Sequence, residues 1–284
     1  MLPELAQILQ ASALQALASE VLFLHGPSAL TEYAMGRLHI PNPKAGMDGG
    51  EMPEEPNPND PQVYMDLGLV IQPVNGVIYP GASKDMECQG YFNTNRIGDL
   101  CDELSDTDGI NTLICNFHTP GGAARGLAPA SDALLMLKKR KPKMSVMSYV
   151  PALCASAGYY LAASTDEIHA APSALVGSIG TIASLADSTG FWEKLGIKNH
   201  VFTDGALKSL GNARFGVTKA QKDYMNEQVA QVSAEFKGLV SARREGMKDE
   251  DMQGQVFEAR RAPSALVDSA RFADLAAFVA AGIG

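Results

Sequence analysis

Three short segments and one lysine hold the residue types that could do chemistry. They are FHTPGGAARG (117–126), CASAGYYLA (154–162), GSIG (177–180), and Lys208 within DGALKSLG (204–211). Ser156 is flanked by Ala155, Ala157 and Gly158, small neighbours that let a substrate backbone approach a nucleophilic hydroxyl. It also opens an apolar helical stretch, and a helix N-terminus favours developing negative charge. Taken alone, a serine at this position reads more commonly as a helix N-cap. The pair Gly121–Gly122 would let backbone N–H groups face an oxyanion without side-chain obstruction, and would equally make a plain turn.

A nucleophilic serine needs a base. Of five histidines, His25 and His39 lie in the N-terminal segment, His169 and His200 belong to or border strand-like runs, and His118 stands just before the glycine pair. His118 is the one serious histidine candidate, although a strand-end side chain is its commoner reading. Lysine serves instead if held neutral, which takes a drop of several units from a reference pKa of about 10.4. Lys208, between Ala206–Leu207 and Leu210, has apolar neighbours in sequence that could provide such desolvation, although a lone lysine is more commonly just solvated. On the residues alone the chain is an α/β enzyme with a site suited to acyl transfer.

The elements that must position these residues follow from periodicity. Leu69–Pro73 and Val77–Tyr79 flank Asn75–Gly76, a hairpin signal. Ile110–Phe117, Met144–Val150, Glu167–Ala171, Ile179–Ala183 and His200–Thr203 read as strands. Leu127–Lys139, Ser156–Ala163, Thr218–Arg244 and Ala265–Ala281 read as helices. Alternation of the two types predicts a mainly parallel sheet with crossover helices. Ahead of it, residues 2–24 carry helical spacing. Residues 41–62, with six prolines and several acids, read as a flexible arm. The expected division is therefore 1–62, an N-terminal helix and arm, and 63–284, a catalytic domain.

Composition excludes several classes. A net charge of −9 argues against nucleic acid as a partner. The basic cluster Lys138, Lys139, Arg140, Lys141 and Lys143 reads as a solvated helix end. Cys88, Cys101, Cys115 and Cys154 form no C-x-x-C pair and no zinc-like spacing, so neither metal nor cofactor is expected, and a reduced compartment fits. No signal peptide and no run long enough to span a membrane is seen, which predicts a soluble cytoplasmic protein.

Together, TPGG (119–122), ASAGYYLA (155–162), DEIHAAPSALVGSIGTI (166–182) and the later Lys208 resemble the protease IV or signal peptide peptidase A family, in its order and spacing. The resemblance covers about residues 66–268. It implies a Clp-protease/crotonase-like fold, a serine endopeptidase with a Ser–Lys dyad, Ser156 as nucleophile and Lys208 as base. Ser178 would orient the lysine amine. The N–H groups of Gly122 and Ala157 would form the oxyanion hole, with Gly121 shaping the turn. Ala259 and Ala265 stand where the family has glycines. The helix-plus-arm beginning is similar to the phage capsid-assembly branch, which implies scaffold and capsid proteins as substrates during head maturation, in the host cytoplasm or the assembling virion. The resemblance also implies a homo-oligomer. Alternatives are a soluble bacterial signal-peptide-peptidase-like protease and a catalytically silent capsid or scaffold component. An acyl-CoA enzyme on the same fold would need acids near the glycine turn, and none stands between Thr119 and Ala130.

Overall fold

The computed structural model describes residues 22–24 and 57–282. They divide into a larger compact unit, from 23–180 and 236–284, and a smaller one around 181–235. The strands are β1 (Leu22–Leu24), β2 (Gln62–Tyr64), β3 (Leu69–Asn75), β4 (Val77–Ile78), β5 (Tyr91–Phe92) and β6 (Thr112–His118). They continue with β7 (Gly121–Ala123), β8 (Ser145–Val150), β9 (Leu153–Ala155), β10 (Glu167–Ala170), β11 (Leu175–Gly177) and β12 (Val256–Glu258). The helices are α1 (Lys84–Cys88), α2 (Asn95–Asp106), α3 (Leu127–Arg140), α4 (Ala157–Ala162), α5 (Thr189–Lys194), α6 (Lys219–Arg243) and α7 (Leu275–Gly282).

In the larger unit the principal sheet runs β10-β8-β6-β3-β2, parallel throughout except for β2. Its inner strands β3 and β6 are near-continuous buried runs, as strands covered on both faces require. Leu69, Ile114 and Val146 are each 1% exposed or less. Pro73 cannot donate to a ladder, and it stands past the last residue of β3 that pairs with β2. The α/β class and mainly parallel sheet expected from the sequence are thus observed. One sheet face is covered by α7, where Phe278 packs with Leu69, Ile71, Ile114 and Tyr149. Its ring stacks on Tyr149 at 5.4 Å. Each such buried side chain contributes about 1.5–3 kcal/mol.

Several expectations are corrected. Asn75–Gly76 is no hairpin: β3 pairs with β6 and β2, while β4 pairs with β5 and β7 in a second sheet. Gly76 (φ 88°) is the point of transfer between sheets, where a Cβ would stand 1.9 Å from the Gly90 carbonyl oxygen. The strand expected at Ile179–Ala183 lies earlier, at β11. His200–Thr203 forms no strand. The closing helix begins at Leu275 rather than Ala265, because the segment before it is drawn to β10. Asp268 N–H donates to the Ile168 carbonyl (2.8 Å), and Ser269 bridges to His169. Residues 22–24 are a strand rather than the end of a helix, and the rest of the expected N-terminal helix lies outside the described residues.

The arm expected at 41–62 falls within the described residues only from 57, and that part is docked. Asn59 is fully buried: its Oδ1 accepts from Asn75 N–H (2.9 Å) and its Nδ2 donates to the Tyr91 carbonyl (3.0 Å). Asn57 donates to Glu87 (2.9 Å), which also receives both Nε and Nη2 of Arg96. The Asn59 amide serves as partner to backbone groups at the ends of β3 and β5.

In the smaller unit, α6 opens on a reciprocal cap. Gln221 N–H donates to Thr218 Oγ1 (3.3 Å) while Thr218 N–H donates to Gln221 Oε1 (3.1 Å). The helix begins there, and its last turns, from Phe236, belong to the larger unit.

Candidate active site

Ser156 stands between β9 and α4. In β9, Leu153–Ala155 pair in parallel with Leu175–Gly177 of β11, and the next N–H, that of Ser156, continues the ladder to the Gly177 carbonyl (2.9 Å). The chain then turns sharply into α4, with Ser156 at φ 55°, ψ −120°. An N-capping serine has extended backbone and a hydroxyl that accepts from the first helical turn. Ser156 has neither: its side chain makes no cap bond, and its Oγ is buried without a hydrogen-bond partner. The commoner reading of this serine is therefore set aside. A buried hydroxyl without a partner costs about 1–3 kcal/mol, and backbone in this region costs a similar amount. The first i→i−4 bond of α4 is donated by Tyr160 to Ser156 C=O (3.0 Å), so the N–H of Ala157 precedes the helical ladder.

Ser178 repeats the pattern. It is 4% exposed with φ 54°, and its N–H donates to the Gln255 carbonyl (2.6 Å). Among the described residues, Ser156 and Ser178 are the two non-glycine residues at positive φ. Because β9 and β11 are in register, they directly follow paired residues, Ala155 and Gly177.

The glycine turn is laced to the same place. Thr119 N–H donates to the Leu153 carbonyl (2.9 Å) and Ala155 N–H to the Thr119 carbonyl (3.1 Å). Gly121 has φ 105°, and its N–H donates to Thr119 Oγ1 (3.0 Å). Gly122 faces β4 so closely that a Cβ would lie 2.0 Å from the Ile78 carbonyl oxygen. On the other side, a Cβ on Gly158 of α4 would lie 2.3 Å from Thr119 Cγ2. The larger unit thus gathers Ser156, Ser178, Gly121, Gly122 and Ala157.

Lys208 belongs to the smaller unit. It lies in a turn, with its N–H donating to the Gly205 carbonyl (3.2 Å), and its side chain is exposed. Ala206 and Leu207 are exposed too, and Leu210 is half-buried. The apolar surround expected of its sequence neighbours is therefore not formed by them, since the segment turns instead of packing as a strand or helix. His118 is exposed at the end of β6. Among the described residues no cluster of His, Cys, Asp and Glu could hold a metal ion. Burial pushes the Cys154 thiol, two residues from Ser156, well up, so it stays a protonated packing group.

Sequence reasoning missed the part played by Thr119, whose three polar groups join the glycine turn to β9. The one signal available was a threonine capable of hydrogen bonding to its own turn, two residues before a glycine. The two alanines that replace glycines, Ala259 and Ala265, do not have left-handed backbone, so they carry no strain. Around the second, Tyr159 Oη donates to the Leu266 carbonyl (2.9 Å) and Arg244 Nε to the Ala265 carbonyl (2.8 Å), which anchors α4 from behind.

Residues 138–281 match peptidase family S49. A putative protease of Methanocaldococcus jannaschii is 29% identical over 167 residues, covering 59% of this chain and 50% of that protein. A putative signal peptide peptidase SppA of Enterococcus faecium is 24% identical over 205 residues, 71% of this chain and 59% of that protein. A probable protease SohB of Haemophilus influenzae is 28% identical over 132 residues, 46% and 37% respectively. The chain spans about half the length of these curated relatives. Among solved structures, a mutant ClpP1 from Listeria monocytogenes aligns with a TM-score of 0.42 at 10% identity, over 75% of this chain and 95% of that one. Among the described residues, no helix is long and apolar enough to cross a membrane.

Proposed function

Since the chain belongs to peptidase family S49, we propose that it is a serine endopeptidase in which Ser156 is the nucleophile and Lys208 the general base. One observation carries the reading: a buried hydroxyl without a partner, on strained backbone, at the head of a helix. Such a group is costly for folding and has the position a nucleophile needs. In the proposed reaction Ser156 Oγ attacks the scissile carbonyl carbon as its proton passes to Lys208 Nζ. The oxyanion is received by the N–H groups of Gly122 and Ala157, and Ser178 holds the amine in direction. The amine returns the proton to the leaving nitrogen, and water then hydrolyses the acyl-enzyme.

For Lys208 to act as a base, water must be excluded from it. Its exposure within its own turn supports a role for a further covering surface, and we infer that a homo-oligomer supplies it. Polypeptide is the substrate class. Scaffold and capsid proteins of an assembling phage head are the substrates we put forward on the sequence resemblance.

A fluorophosphonate probe tests the dyad. Wild type is expected to label at Ser156, Ser156→Ala not at all, Lys208→Ala and Lys208→Arg at least 100-fold more slowly, and His118→Ala at the wild-type rate. Arginine stays charged and cannot accept the proton. Undiminished labelling of Lys208→Ala together with loss in His118→Ala would replace the dyad by a Ser–His pair.

A further inference from the structure

We infer that Thr119 is the positioning residue that sets the oxyanion donors of this site; the inference rests on the Ser156 reading above. The two proposed donors come from separate chain segments, Gly122 from β7 and Ala157 from α4. Thr119 touches both segments. Its Oγ1 receives the N–H of Gly121 (3.0 Å), and its Cγ2 lies against Gly158, the neighbour of Ala157. Its own N–H and C=O are bonded to Leu153 and Ala155, which lead directly into Ser156. Thr119 is fully buried, so no water competes for these bonds.

The hydroxyl and the methyl have separable duties. Gly121 has φ 105°, and a glycine has no Cβ to hold its peptide planes. The bond to Thr119 Oγ1 fixes the N–H on one side of Gly121, and the Gly122 N–H lies on the other. The methyl sets how closely α4 approaches. A Cβ at position 158 would meet Thr119 Cγ2 at 2.3 Å, while the next atoms, Cys154 Sγ and Thr119 Cβ, stand at 3.5 and 3.7 Å, ordinary contact distances. Glycine at 158 is therefore required by one methyl group.

Four variants separate these duties. Thr119→Val keeps the shape and deletes the acceptor. It should lower kcat about 10- to 100-fold with KM within about 3-fold, somewhat less than outright loss of an oxyanion donor, about 10²–10³-fold. Thr119→Ser keeps the acceptor and should stay within about 3-fold of wild type. Gly158→Ala should lose at least about tenfold in kcat, and the double variant Gly158→Ala/Thr119→Ser should recover to within about 3-fold of Thr119→Ser, because the obstructing methyl is gone. Probe labelling of wild type at Ser156 comes first, and its absence would refute the Ser156 reading itself. With labelling established, Thr119→Val turning over like wild type, or Thr119→Ser failing as badly as Thr119→Val, overturns the positioning role. If Thr119→Val does not fold, the rescue pair decides: no recovery in the double variant overturns the inference.

Discussion

The backbone at Ser156 makes a quantitative claim that needs no substrate. With φ 55° and ψ −120° it lies outside the small left-handed island open to L-residues, at a cost of about 1–3 kcal/mol. Ser156→Ala and Ser156→Gly both delete the hydroxyl, so their difference reports the backbone alone plus one buried methyl. At an unstrained site, alanine to glycine costs about 0.5–1 kcal/mol in chain entropy and about 0.8 kcal/mol for the methyl. Ala162, buried in α4, the short helix that follows Ser156, supplies that reference. Ala162→Gly should lose about 1.3–1.8 kcal/mol. Ser156→Gly, measured against Ser156→Ala, should fare about 1–3 kcal/mol better than this, which places it between about 0.8 kcal/mol less stable and about 1.7 kcal/mol more stable than Ser156→Ala. The assay is urea unfolding of the four proteins with unchanged m values. If glycine at 156 costs as much as glycine at 162, there is no strain at Ser156, and the case for a pre-set nucleophile loses its main support.

Three further outcomes follow from the larger unit. Glu87, with a side chain 4% exposed, balances Arg96, itself 24% exposed, and accepts from Asn57; Glu87→Ala should therefore cost about 2–3 kcal/mol in urea unfolding, below the 3–5 kcal/mol of a fully buried pair, and an effect under 0.5 kcal/mol would contradict the docked 57–60 segment. Of the four thiols Cys88 alone is exposed, so a thiol reagent should titrate one group rapidly in the native protein and four after unfolding. Burial pushes the Cys101 thiol up to about 12, so the folded state keeps a proton that the unfolded chain releases from about 9; stability should be unaffected by this group below pH 9 and fall progressively from there towards 12, and alkaline stability flat over that window would refute its burial.

The middle of the sheet was legible because β3 and β6 are buried on both faces. Leu69–Asn75 and Thr112–His118 are apolar runs too short for helices and bounded by turn residues, and no other packing suits them. Misreadings arose where a local signal served a long-range purpose. Asn75–Gly76 has the composition of a hairpin turn, but Gly76 spends its positive φ on moving the chain to another sheet. Ala265–Ser269 has helical composition, and backbone pairing with β10 overrides it. Around Ser156 the small residues were legible in the sequence, and the structure shows what one of them does: Gly158 gives way to the Thr119 methyl. The strained backbone stayed hidden because serine, unlike glycine, gives no sign of a left-handed conformation. The surroundings of Lys208 were misjudged for a related reason: apolar neighbours in sequence desolvate an amine only if the segment folds them over it.

The family match begins at residue 138, after the glycine turn, although the larger unit joins that turn to the matched region tightly. The matches to individual relatives, over 167 and 205 residues, are long enough to include the turn. Thr119 meets β9 through its backbone N–H and C=O, and Gly122 meets β4 as a ladder partner, through groups that nearly every residue carries. Side-chain identity matters there at few places: the Thr119 hydroxyl and methyl, and glycines whose Cβ would collide with Ile78 or Thr119. The same holds for Asn59, whose one amide binds the ends of β3 and β5. Geometry around Ser156 is thus set by many backbone bonds and a handful of side chains. Substitution at those few positions should therefore disturb the geometry around Ser156 more than substitution between them.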